Sequence, residues 1–173
     1  MRFYSKAIQG FSLIELTIVL LIASVLMAMT AAGLGSLSSN SRSYDSANSL
    51  LKDITFARNQ AVSNNQNVTI CSLNASKQCQ DNWINGVDVF IDFNKNEQLD
   101  PDDMLLKRSE PFSTKDDIQF SSQLYSVQYQ PDGLTSNLPG SLAITYCADK
   151  SGSTINIQAS GKASITQNQV SCS

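Results

Sequence analysis

Hydrophobic positions along the chain follow two regimes. Residues 11–32 read FSLIELTIVLLIASVLMAMTAA, an almost unbroken apolar run with one charge, Glu15. At 1.5 Å per residue, a helix over this run spans about 33 Å, enough for a bilayer core of about 30 Å. Gly33-Leu34-Gly35-Ser36 follows, and each Gly there costs about 1 kcal/mol of helix stability relative to Ala. Apolar residues then return at helical spacing: Ala47, Leu50, Leu51, Ile54, Ala57 and Ala61 recur three and four apart. Arg42, Asp45, Lys52, Asp53 and Arg58 fall mainly off that stripe. The pattern predicts one long helix from about residue 12 to about residue 63, softest over 33–40. Its second half should lay an apolar stripe on a sheet.

After Asn65 the period changes to that of strands. Val68-Thr69-Ile70-Cys71 reads as a short strand, and Trp83-Ile84 with Gly86-Val87-Asp88-Val89-Phe90-Ile91 as a second with alternation. Further strands are expected at 104–107, 118–120, 126–129, 142–146, 154–157 and 163–166. Turn formers separate them, notably Pro131-Asp132-Gly133 and Asp149-Lys150-Ser151-Gly152. Several short strands with tight turns argue for antiparallel sheet, so the fold class is α+β, a long N-terminal helix packed on antiparallel strands.

Composition narrows the chemistry. A chain of 173 residues, 42% hydrophobic, suits one globular domain with an appendage. Twelve basic and fifteen acidic residues leave a net charge of −3, which provides no global field for nucleic acid. There is no histidine, which removes Ser-His-Asp and Cys-His catalysis and histidine zinc sites. No phosphate-binding loop, nucleophile elbow or metalloprotease motif occurs. The carboxylates cluster in turns, so neither an enzyme nor a cofactor is expected.

Ahead of the apolar run stands MRFYSKAIQG, with Arg2 and Lys6 and no acid. That flank favours a cytoplasmic N-terminus and places everything after Ala32 across the membrane. A cleaved secretory signal normally has an apolar stretch of about 7–15 residues before a small-residue site. This run is longer, carries an acid near its start and lacks a clean A-x-A site. An ordinary anchor does not explain Glu15 either, because an acid at mid-membrane costs about 2.5–3.5 kcal/mol and marks function.

The segment Gly10-Phe11-Ser12-Leu13-Ile14-Glu15, followed by an uncharged apolar run, resembles the leader junction of type IV prepilins and type II secretion pseudopilins. The resemblance implies that a prepilin peptidase cuts between Gly10 and Phe11. It also implies that the new Phe11 amine is methylated and that Glu15 is the hallmark fifth residue. The physics agrees. A cationic amine buried among packed apolar helices needs an anion, and Glu15 of a neighbouring subunit supplies one and sets the register between subunits. Removal of the leader leaves 10 basic against 15 acidic side chains.

A narrower resemblance covers nearly the whole mature chain. The order helix, Val68-Thr69-Ile70-Cys71, Trp83, Gly86, Val89-Phe90, an Asp/Asn-rich turn and Leu105-Leu106 is similar to the FimT/FimU and GspH family of minor pilins and pseudopilins. Ile155-Asn156-Ile157 followed by Gly161-Lys162 looks like that family's final hairpin. The FimU branch is the most similar. The resemblance implies a type IV pilin-like fold with three parts. These are a leader over 1–10, a transmembrane and assembly half over 11–34, and a periplasmic domain over 35–173 that includes an amphipathic helix at 40–63. It implies residence in the inner membrane, then in the pilus, and a structural role in a minor-pilin complex that primes assembly and stays at the tip. The implied partners are other minor pilins, the major pilin, the peptidase and the inner-membrane assembly platform. A minor pseudopilin of type II secretion shares all these signals, and a DNA-binding FimT-like pilin is a third reading.

Cys71, Cys79, Cys147 and Cys172 all lie beyond the apolar run and allow three pairings. Cys71–Cys79 with Cys147–Cys172 is favoured: one bond clips a strand to its own turn and the other fastens the C-terminal tail. The spacings C-x7-C and C-x24-C match no zinc pattern. In residues 92–103, Asp92, Asn94, Asn96, Asp100 and Asp103 fall at ligand positions of a calcium loop, with Gln98 at the carbonyl position. Against calcium, Glu97 replaces the turn glycine and Asp103 the bidentate Glu, so a solvated hairpin loop is the stronger reading. FimT-type relatives are implicated in DNA binding through a GRxR stretch. The matching residues here are Gly161-Lys162-Ala163-Ser164, with Lys162 the one basic position kept and Lys150 the other C-terminal cation. Few phosphate contacts mean weak binding, so DNA is not expected as a partner.

Overall fold

The structure, a computed structural model, describes residues 12–31 and 34–172. The chain falls into two units, Met1–Leu37 and Ser38–Ser173. Helix α1 spans Leu13–Ala31 and α2 spans Leu34–Asn64. The continuity expected through 32–33, and the leader with Gly10 and Phe11, lie outside the described residues. Nine strands follow among the described residues: β1 Val68–Leu73, β2 Cys79–Gln80, β3 Asp88–Ile91, β4 Met104–Arg108, β5 Asp117–Phe120, β6 Ser126–Tyr129, β7 Ser141–Ala148, β8 Ser151–Gln158 and β9 Ala163–Ser171. All pairings are antiparallel. The fold class is α+β, as the sequence pattern predicts.

The strands form two sheets. In the first, residues 68–71 of β1 pair with both β3 and β6, β4 pairs with β3, and β2 extends the end of β1. The second runs β5-β7-β8-β9. Within the second unit α2 packs against them. Ser39, Ser43, Ala47, Leu50, Asp53, Ile54, Ala57 and Ala61 are its buried positions, three or four apart apart from the adjacent Asp53 and Ile54. The stripe is therefore longer than the sequence suggests and includes an acid. Helix α2 stops at Asn65, which takes φ +52°, while the Gln66 N–H donates to the Ala61 carbonyl at 3.3 Å. That is the left-handed cap a short polar residue tolerates.

One strand expectation is corrected. Trp83-Ile84 is not strand: Trp83–Asn85 forms a 3-10 turn, and β3 begins only at Asp88. Gly86 causes the break. It has φ +95°, and a Cβ there would lie 2.6 Å from the Ser109 carbonyl oxygen. The turn buries Trp83 completely, where it meets Phe120 edge-to-face at 5.2 Å and donates its indole N–H to the Tyr125 carbonyl at 2.9 Å. Nor does the alternation in β3 separate core from solvent, because all four of its residues are buried.

Two hairpin turns meet at Arg58. In each, a glycine takes positive φ after a tight turn: Gly133 (φ +78°) donates its N–H to Gln130, and Gly161 (φ +76°) donates to Gln158, both at 2.8 Å. Arg58 donates to the carbonyls of Gly133 at 2.9 Å and Ser160 at 3.3 Å. A residue expected off the packed stripe thus joins α2 to a turn of each sheet.

The structure joins Cys71 to Cys79 and Cys147 to Cys172, with Cα separations of 5.5 and 5.9 Å. Sequence separations of 8 and 25 residues correspond to about 2–4 kcal/mol each in the loop-entropy account. Non-reducing peptide mapping is expected to recover these two linkages. Reduction should lower the melting temperature, and a linkage between Cys71 and Cys147 would contradict the pairing.

Candidate functional site

Among its described residues the first unit offers one chemical feature, an apolar helix with a single acid. Along the described part of α1 the large side chains are exposed, from Leu13 at 80% to Met27 at 72%. Its polar atoms turn back on the helix: Thr17 donates to the Ile14 carbonyl and Ser24 to the Leu21 carbonyl, both at 2.8 Å. What the helix presents is therefore hydrocarbon plus Glu15, in its first turn, where the helix dipole favours an anion. Among the described residues no helix is long and apolar enough to cross a membrane. The 19 residues of α1 amount to about 28 Å at 1.5 Å each, just short of a bilayer core. The apolar sequence continues at both ends into residues that are not described.

In the second unit the polar side chains that look most like chemistry are cross-links. Asp53, expected off the stripe, is 3% exposed. It accepts from Lys107 Nζ at 2.5 Å and from the Ser109 hydroxyl, which ties α2 to β4. Lys107 also lies 5.6 Å from the Phe56 ring centroid. An open cleft of about 620 Å³ lies beside this pair, with Asp45 and Glu110 also on its walls. Its buried acid is already neutralised. Arg42 bridges the buried Asp116 at 3.1 Å and Asp149 at 3.0 Å. Asp116 also accepts the Tyr146 hydroxyl at 2.9 Å, and burial pushes the Tyr146 phenol up to about 12. Sequence reading missed these acids because an Asp on a helix face or in a turn looks solvated until its partner strand is placed.

The Asp/Asn loop is also not simply solvated. Asp92 is fully buried and accepts from the Thr69 hydroxyl at 2.9 Å, the Gln128 amide at 3.3 Å, and the backbone N–H groups of Asn96 at 3.2 Å and Glu97 at 3.0 Å. Asp103 accepts from the N–H groups of Phe93 and Asp100. The Asn94 and Asn96 amides both donate to Asp100, holding its carboxyl below the usual carboxylate range. Every carboxylate of the calcium pattern is thus engaged by protein donors, and Asp92 fixes the loop to β1 and β6 of the first sheet. Adding calcium is expected to leave the melting temperature of the full chain unchanged. An upward shift of several degrees would show ion binding to the folded state.

The two candidate DNA-contacting lysines are not brought together. Lys150 lies in the β7–β8 turn and Lys162 beyond the β8–β9 turn, at opposite ends of β8 and about 27 Å apart along the strand at about 3.4 Å per residue. The Gly161 that precedes Lys162 serves packing: its added Cβ would lie 1.9 Å from the Gly133 carbonyl oxygen.

The family profile described as "Type II transport protein GspH" matches residues 46–161, and that described as "Prokaryotic N-terminal methylation motif" matches residues 5–31. The chain belongs to the GspH family. Two crystal structures of the Pseudomonas aeruginosa (strain PAO1) type IV minor pilin FimU are similar in fold to this chain. One aligns with a TM-score of 0.56 and 17% identity over 71% of this chain and 91% of that one. The other aligns with a TM-score of 0.59 and 16% identity over 75% and 92%. Comparison with curated protein sequences gives no match. A GspH-family chain is a minor pilin or pseudopilin, which accounts for a domain whose charged groups serve packing and for a methylation motif at the head of α1.

Proposed function

We propose that this chain is a minor type IV pilin of FimU type. Its leader, residues 1–10, is removed between Gly10 and Phe11, and Phe11 is methylated. Residues 11–34 hold it in the inner membrane with residues 35–173 in the periplasm. The apolar segment then leaves the lipid and packs with those of other minor pilins and the major pilin, in a complex that primes the filament and stays at its tip. The observation that carries this reading is α1 itself: exposed hydrocarbon along its described length, self-satisfied hydroxyls and one acid. Such a surface is stable only in lipid or among similar helices. Deleting the gene and counting surface filaments tests the role, and gold labelling of sheared filaments tests the location. The role requires filament loss, and the tip location requires label at one end.

The family description favours a second reading, a minor pseudopilin of a type II secretion machine. Loss of exoprotein secretion with normal piliation in the same deletion would establish it in place of the first. DNA recognition has less support, since Lys150 and Lys162 sit at opposite ends of a strand.

A further inference from the structure

Strand β4 is the last of its sheet: β3 pairs with one side, and among the described residues no strand pairs with the other. A free edge presents a row of backbone donors and acceptors, which soluble proteins usually guard with charge, proline or a covering loop. The two cations on β4 are committed elsewhere, Lys107 to buried Asp53 and Arg108 to buried Asp88 at 2.6 Å. At the open end of the strand, Met104 is 57% and Leu105 41% exposed. Met104 pairs with Ile91 and Leu105 with Phe90, so these two side chains leave the edge on opposite faces. Phe93, also exposed, is held beside them by its N–H bond to Asp103 at 3.0 Å. The register shift between Val89 and Phe90 leaves Leu106 as the extra residue, so the straight part of the edge is its apolar start. One edge strand of the other sheet, β5, instead exposes Asp117 and Gln119.

We propose that the β4 edge is an interaction surface for an extended strand of a neighbouring pilin-like subunit, which would continue the first sheet from one subunit into the next. The free ladder specifies an extended backbone, and apolar side chains on both faces specify apolar side chains flanking it. The partner strand is not β4 of a second copy. Edge-to-edge pairing of β4 with itself needs a two-fold axis that sets the two molecules antiparallel. Subunits stacked through their N-terminal helices point the same way. The inference rests on the assembly reading above, which makes such neighbours available.

The test uses the full-length chain in detergent with each pilin-like subunit encoded beside it. Hydrogen exchange is expected to slow at residues 104–106 in one such complex. The double variant Met104→Lys, Leu105→Lys restores guard charges at two exposed positions. It is expected to weaken that complex about tenfold or more, through lost backbone bonds and apolar contact, with an unchanged melting temperature. Binding of the double variant equal to wild type would overturn the proposal. So would protection confined to other strands, or a homodimer that the variant abolishes. If no pilin-like subunit binds the wild-type chain at all, the assembly reading itself is lost, and that result is distinct from the others.

Discussion

Replacing Glu15 by Val is expected to leave leader removal and membrane residence intact while stopping incorporation into the filament. In lipid the substitution is favourable, because it removes an acid from the apolar run, where a charge is costly. The Glu15→Val protein should therefore accumulate in the membrane at wild-type levels or above. In the filament the balance reverses. On the proposed reading the amine freed at Phe11 enters a bundle of apolar helices, and without the carboxylate of a neighbour it is a buried, unpaired cation. Breaking one partner of such a pair costs about 3–5 kcal/mol, a factor of about a hundred or more in subunit association. Glu15→Gln, which keeps a hydrogen-bonding oxygen without the charge, should fall between the two. Immunoblots of sheared filaments against membrane fractions read the distribution directly. Normal incorporation of the Val variant would refute the pairing of Glu15 with Phe11.

The largest effect on the folded domain is expected from Gly161→Ala. The new Cβ would lie 1.9 Å from the Gly133 carbonyl oxygen, 3.0 Å from the Gly133 carbonyl carbon and 2.9 Å from Arg58 Nε. Two of those atoms are backbone, so no side-chain rotation relieves the contact. The residue also takes φ +76°, which an L side chain resists. The turns must separate, and the Arg58 bonds to Gly133 and Ser160 go with them. A loss of about 3 kcal/mol or more is expected, the range of strained backbone and close backbone contact plus broken hydrogen bonds. Gly140→Ala is the matched control, since nothing lies within 4 Å of its added Cβ. Denaturant melts of the two variants should separate clearly, and equal midpoints would show that the turns are not coupled.

Features with a local cause were legible in the sequence. The apolar run at the head of the chain, the spacing in α2 and most strand positions follow from periodicity alone. The leader junction and the later strand-and-turn order carried the family. What the sequence concealed was each charge whose partner lies far along the chain. Asp53 and Lys107 are 54 positions apart and Arg42 and Asp116 are 74 apart, so helical-face arithmetic placed Asp53 and Arg42 in solvent. Asp92 looked like a loop residue for the same reason, although Thr69 and Gln128 close over it from neighbouring strands. Trp83 was misplaced because aromatic and β-branched neighbours imitate a strand, while the close approach of the Ser109 backbone to Gly86 is visible only in three dimensions. The division of the strands into two sheets was hidden too, since strand spacing does not encode which neighbour a strand chooses.

The bond between Cys147 and Cys172 has a mechanical consequence. Its Cys172 end follows the last strand, and its Cys147 end stands beside Tyr146, whose carbonyl accepts from Ser43 of α2. In the proposed assembly the subunit is hauled by its helix. Part of any traction on α2 passes through Ser43 to Tyr146, towards the C-terminal end of β7, whose eight pairs with β8 resist in shear. Strand β9 is riveted at its C-terminal end to that same β7. Traction that reaches this sheet meets three strands that must fail together.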